Sequence, residues 1–128
     1  LLDNIDVFKQ RRDIRNHVLV VTGNDIFSAG VSSLFGLARP SAGAAVVSTA
    51  RLSNEFYGRD ENEEDLIDRT LKESAHEVGH LLGLDHCTTP ECIMHNPLTL
   101  DDLDRKKRWF CPVCKNMLDS ARIMNSLS

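Results

Sequence analysis

From Asp65 onward, apolar residues recur at helical spacing: Ile67, Leu71, Ala75, Val78 and Leu82. At about 100° per residue they form one stripe. The pattern predicts a helix that packs this stripe on a sheet and turns its opposite side, with His76 and His80, toward a functional site. Upstream, His17-Val-Leu-Val-Val-Thr22 is a short apolar run closed by Gly23-Asn24-Asp25. It reads as a buried parallel strand ending in a turn, with His17 at the exposed strand end. Residues 34–38 and 44–50 are apolar runs separated by the turn-rich Arg39-Pro40-Ser41-Ala42-Gly43, so they form a hairpin or two adjacent strands. Residues 53–65, with six acidic side chains, read as a solvated loop. Leu1, Ile5 and Phe8 fall at helical spacing, which predicts a helix over 1–12. Thr99-Leu-Asp-Asp102 resembles a capping box, opening a helix that turns Leu103 and Trp109 inward. Residues 115–128 predict another helix, with Met117, Leu118, Ile123 and Met124 as its apolar side.

Composition narrows the class. A chain of 128 residues with 41% hydrophobic residues makes one modest domain. Its upper part is expected to be residues 1–83 and its lower part 84–128. The chain starts at Leu1 rather than at a methionine, so more natural sequence is expected ahead of it. Net charge is −4, and no basic stripe is dense enough for nucleic acid. The run Arg105-Lys106-Lys107-Arg108 reads as the solvated face of a helix, balanced by Asp101, Asp102 and Asp104. No apolar stretch approaches the roughly 20 residues of a membrane span. A cytoplasmic protein with neither a membrane nor a nucleic-acid partner is the expectation. Oligomeric state is not fixed by the sequence.

The chemistry is concentrated in residues 76–94. His76 and His80 stand about one helical turn apart, so two ring nitrogens can reach one ion. Glu77 lies about 100° round from His76, which suits a carboxylate that takes a proton from water beside a metal. Gly83 can end the helix in a left-handed conformation and let the chain bring His86 back as third ligand. Three ligands leave a fourth position for water, the pattern of a catalytic zinc site. The bland alternative is a helix with two surface histidines. Four cysteines follow as C-x4-C (Cys87, Cys92) and C-x2-C (Cys111, Cys114). The second pair is a zinc knuckle by spacing; two disulfides or four buried thiols are the alternatives. A zinc on the cysteines would pin the segment that delivers His86. Met94 follows as a hydrophobic floor under the metal, with ordinary core filler as the alternative; His95 reads as a solvent-exposed loop residue, with a substrate-contacting or proton-sharing role as the alternative; Tyr57 carries no mark of an oxyanion donor.

His76-Glu77-x-x-His80-x-x-Gly83-x-x-His86 followed by Met94 resembles the metzincin clan of zinc peptidases. With Cys87, Cys92 and Cys111-Pro-Val-Cys114, it resembles the archaemetzincin branch, although the sixteen residues between Met94 and Cys111 are one fewer than that pattern. The motif covers residues 76–114, with weaker likeness reaching up to His17. The resemblance implies an α/β (α+β) zincin fold: a mixed, mostly parallel twisted sheet on an active-site helix, with a small zinc-stapled helical C-terminal part. It implies two Zn2+ per chain. One is catalytic, on His76, His80 and His86 with Glu77 as general base. The other is structural, on Cys87, Cys92, Cys111 and Cys114. A Met-turn at Met94 lies beneath the first. The expected function is hydrolysis of peptide or protein substrates; the alternative is a zinc-containing peptide-binding protein with little turnover.

Overall fold

The structure, a computed structural model, describes residues 16–26 and 35–127, with side chains as far as Ser120. The helix expected over 1–12 lies outside the described residues, as do the side chains of Ile123 and Met124.

Three short strands form the sheet: β1 (Val18–Thr22), β2 (Gly36–Arg39) and β3 (Ala44–Ser48), in the order β1-β3-β2. β3 is central and buried throughout, as its unbroken small and β-branched run requires. β2 and β3 are an antiparallel hairpin, Gly36 opposite Val47 and Arg39 opposite Ala44. Pro40–Ala42 make one 3-10 turn between them, and Gly43 closes it at φ 61°. β1 pairs with β3 in parallel. One pairing of each kind makes the sheet mixed, not mostly parallel, among the described residues.

Two apolar layers cover the faces of the sheet. Val18, Val20 and Leu37 pack with Ala44 and Val46 on one face. Leu19 packs with Phe35, Val47, Leu52, Leu100 and Leu103 on the other, joined by Leu66 from the long helix. That helix, α1 (Glu63–Leu81), lies against β2 and β3. It starts two residues earlier than the sequence predicted, because the Asn62 side chain accepts from the Asp65 amide and caps it. It ends at Leu81, and Gly83 follows at φ 99°, the left-handed exit expected of it.

The orientation of α1 overturns one expectation. Ile67 is 51% exposed, Leu71 49% and Leu82 38%. The stripe does not meet the sheet. The buried side carries Arg69, Lys72, Glu73, His76 and Glu77 instead. Sheet contact and functional groups share one side of the helix, where Arg69, Lys72 and His76 find partners while both Glu73 oxygens go without. Arg69 makes a two-pronged pair with Asp104 at 2.8 and 3.0 Å and reaches the Leu52 carbonyl and the Asn54 side chain. Ala75 still packs below, against the lower core of Leu84, Cys92, Ile93, Met94, Cys111 and Cys114.

The lower half adds α2 (Leu100–Arg105) and α3 (Pro112–Leu127). The Thr99 hydroxyl accepts from the Asp102 amide, and the Asp102 carboxylate from the Leu98 amide. Leu103 is fully buried, as expected, but Trp109 is 42% exposed. α2 stops at Arg105 because Lys106 turns to extended backbone, which takes Trp109 off the helix. The basic run is therefore not one solvated face: Lys106 is only 2% exposed. Leu118 packs on the lower core, while Met117 is exposed. Among the described residues, no helix is long and apolar enough to cross a membrane.

Candidate active site

His76 and His80 project from the last turns of α1, and His86 returns after the bend at Gly83. Their ring centroids lie 4.7, 4.8 and 5.4 Å apart. The His76 Nδ1 lies 2.7 Å from the Ile93 carbonyl and the His80 Nδ1 2.8 Å from the Leu84 carbonyl. A carbonyl only accepts, so each Nδ1 donates, which leaves Nε2 as the nitrogen free to bind an ion. Those two Nε2 atoms face each other at 3.1 Å. Two lone pairs so placed suit a shared cation. Zn–N bonds of about 2.0–2.1 Å put neighbouring ligand atoms of a tetrahedron about 3.3 Å apart. One nitrogen from each of the three rings fits within 4.8 Å of the others. Burial, with Lys106 adding to it, holds His76 down to about 3, so the ring stays neutral and ready to ligate.

Glu77 Oε1 stands 3.9 Å from His76 Nε2, and Oε2 has no hydrogen-bond partner. Burial, with Glu73 adding to it, pushes the Glu77 carboxyl up to about 9, while Lys106 opposes the rise. Glu73 is fully buried, one helical turn before Glu77, with neither oxygen hydrogen-bonded. Helical spacing places Glu73, His76 and Glu77 on one face, a signal the sequence contained but which the metal motif overshadowed. Gly36 makes room for the pair: a Cβ there would lie 2.8 Å from Glu73 Oε1 and 3.0 Å from Glu77 Cγ.

Lys106 was not predicted at the site. Its Nζ donates to the Ile93 carbonyl at 2.8 Å and lies 3.4 Å from His76 Nδ1. Burial lowers its ammonium to about 8, with Glu73 as the main opposing charge. Nothing in a four-residue basic run marks one member for burial. A cleft of about 200 Å³ opens over the histidines, lined by Gly36, Leu37, Ala38 and Pro40 from the hairpin and by His76, Glu77, His80, His86 and Asn96. Tyr57 is not part of it; its hydroxyl donates to the Arg51 carbonyl at 2.7 Å. His95 is half-buried and bonded to the Cys87 carbonyl at 2.9 Å, so it is neither a free loop residue nor a cleft group.

The four cysteines come together from three segments and form no disulfide. Their sulfurs lie within 4.8 Å of one another, Cys87 and Cys111 at 3.7 Å. Zn–S arms of about 2.3 Å give tetrahedral edges of about 3.8 Å, so the set fits zinc. Cys92 Sγ accepts from the Met94 and Cys111 amides, the hydrogen bonds a thiolate takes. The Cys114 amide holds the Cys111 thiol down to about 7, while burial raises Cys92 and Cys114. Met94 is fully buried under α1, and a Cβ on Gly79 would collide with its sulfur. Met94 thus packs between the lower core and the helix that carries His76 and His80.

Comparison with known proteins agrees with this geometry. The model of Peptidase family M54 matches residues 4–120. The archaemetzincin of Thermococcus kodakarensis is 45% identical over 98 residues, 77% of this chain and 53% of the relative. That of Pyrococcus furiosus is 40% identical over 110 residues, 85% of this chain and 57% of the relative. The chain thus spans little more than half the length of these curated relatives. The crystal structure of a zinc-dependent peptidase from Methanocorpusculum labreanum superposes with a TM-score of 0.86 at 41% identity, covering 91% of this chain and 71% of that one. The crystal structure of the Archaeoglobus fulgidus archaemetzincin, complexed with malonate, gives 0.68 at 36% identity, covering 80% and 60%. A match over nearly the whole chain, with histidines and cysteines clustered as the motif requires, shows that this chain belongs to peptidase family M54, beside the archaemetzincins it resembles.

Proposed function

We propose that this chain is the catalytic part of a zinc-dependent peptidase. It would hold two zinc ions, one on His76, His80 and His86 and one on Cys87, Cys92, Cys111 and Cys114. The observation that carries the reading is the pair of Nε2 atoms facing each other at 3.1 Å beside Glu77, whose Oε2 has no hydrogen-bond partner, on the floor of an open cleft. Zinc on the histidines would polarise a substrate carbonyl and lower the pKa of water to about 7. An extended peptide lies along β2, which lines the cleft at the end of the sheet. Glu77 takes a proton from water as the water oxygen bonds to the peptide carbonyl carbon. It then gives that proton to the amide nitrogen as the carbon–nitrogen bond breaks, leaving a carboxylate and an amine. Burial raises its basicity, and it would be held as the carboxylate this exchange needs by the charge of zinc on the neighbouring histidines.

Glu77→Gln tests the reading. The variant is expected to keep both metals, measured by elemental analysis, and to lose about 10²–10⁴-fold in kcat/KM on peptide substrates. Turnover equal to the wild type would remove Glu77 from the mechanism and favour a peptide-binding role.

A further inference from the structure

Each of the three imidazoles is tied to the region of the cysteines. His76 is oriented by the Ile93 carbonyl, and Ile93 follows Cys92. His80 is oriented by the Leu84 carbonyl, and Leu84 packs in one core with Cys92, Cys111 and Cys114. His86 is covalently followed by Cys87. The segment carrying Ile93 is laced from both sides. Its amide donates to the Trp109 carbonyl at 2.9 Å, and the Lys107 amide to the Glu91 carbonyl at 2.9 Å. The Cys87 amide donates to the Met94 carbonyl at 2.9 Å, and Lys106 Nζ to the Ile93 carbonyl at 2.8 Å. Cys92 joins this segment to the one ending at Cys111, whose amide it accepts at 3.3 Å.

We propose that the cysteine cluster is the common anchor of all three imidazoles, so that the histidine site reaches its full metal affinity only while the four thiolates hold an ion. The inference rests on the zinc reading above. It makes Ile93 and Leu84 positioning residues, acting through their backbone carbonyls. Partners that orient a histidine ligand are worth about 10–100-fold in metal affinity, and here the sulfur cluster would hold them in place.

Cobalt tests it, because thiolate-to-cobalt charge-transfer bands and imidazole ligand-field bands report the two sites separately. Metal-free wild type, Cys114→Ser and Cys114→His are titrated with cobalt. In Cys114→Ser, at concentrations where no thiolate band appears, histidine-site affinity is expected to be about 10–100-fold weaker than in wild type. Cys114→His, which rebuilds a Cys3His site, is expected to restore it. Equal affinity in wild type and Cys114→Ser overturns the inference. If circular dichroism shows that Cys114→Ser does not fold, two-cobalt wild type is titrated with an organomercurial. Release of both ions supports the coupling; loss of the thiolate ion with unchanged ligand-field bands overturns it. A wild type that binds cobalt through thiolates alone overturns the peptidase reading and this inference with it. Two ions with independent affinities overturn only the coupling.

Discussion

The two ligand clusters are neighbours in sequence and opposites in setting. Cys92, Cys111 and Cys114 are buried and Cys87 half-buried, four sulfurs within 4.8 Å of one another. The histidines run from buried His76 through half-buried His80 to exposed His86, along the floor of a cleft. Four ligands complete a tetrahedron, whereas three leave one vertex to a reactant. The difference lies in what faces each cluster. The sulfurs face the apolar lower core, and the imidazoles face a sheet whose nearest strand begins with a glycine.

Metal removal tests this contrast most strongly. Stripping the histidine ion with a mild chelator is expected to leave the melting temperature nearly unchanged. Taking the thiolate ion with a stronger one is expected to lower it by more than about 10 °C. Equal drops in scanning calorimetry would erase the distinction between a structural and a catalytic cluster. Next in size is Lys106→Met. It removes the buried ammonium that donates to the Ile93 carbonyl and whose charge favours ionised Glu73 and Glu77, and is expected to cost about 1–3 kcal/mol in urea unfolding. Adding Glu73→Gln should recover part of that loss; no recovery would show that Lys106 acts by packing alone.

Acid sharpens the comparison on the histidine side. His76 sits at about 3 in the fold against 6.5 unfolded. Between those values the unfolded chain binds a proton that the folded ring refuses. Its contribution to stability is therefore complete above pH 6.5 and lost as pH falls toward 3. The urea midpoint of the metal-free protein should fall over that range, less steeply in His76→Asn. Smallest of all is Ile67→Ser, expected to change stability by no more than about 0.5 kcal/mol because the side chain is half-exposed. A loss of about 2 kcal/mol would mean that the stripe is covered in solution.

What could be read from sequence was what sequence neighbours decide. The three histidines sit within eleven residues, so helical geometry and the bend at Gly83 brought them together, and turn chemistry over 39–43 narrowed the flanking runs to a hairpin or two adjacent strands. The cysteine set was legible because the chemistry of sulfur restricts its partners. The facing of α1 was not, because amphipathicity assumes that polar groups seek water. Here the buried Arg69 and Lys72 found Asp104 and Asp68 at the edge of the fold, and Glu73 settled over a glycine. Lys106 and the Ile93 carbonyl meet His76 only through tertiary folding, across 30 and 17 residues. No periodicity encodes that meeting.

Gly36 has one more consequence. A Cβ there would press on Glu73 Oε1 at 2.8 Å, on Glu77 Cγ at 3.0 Å and on the Val46 carbonyl at 3.1 Å. The first residue of β2 is thus closed to evolutionary drift. A lineage adapting this cleft to a new guest would change Leu37, Ala38, Pro40 or Asn96 instead, leaving a patch of bare backbone beside Glu77.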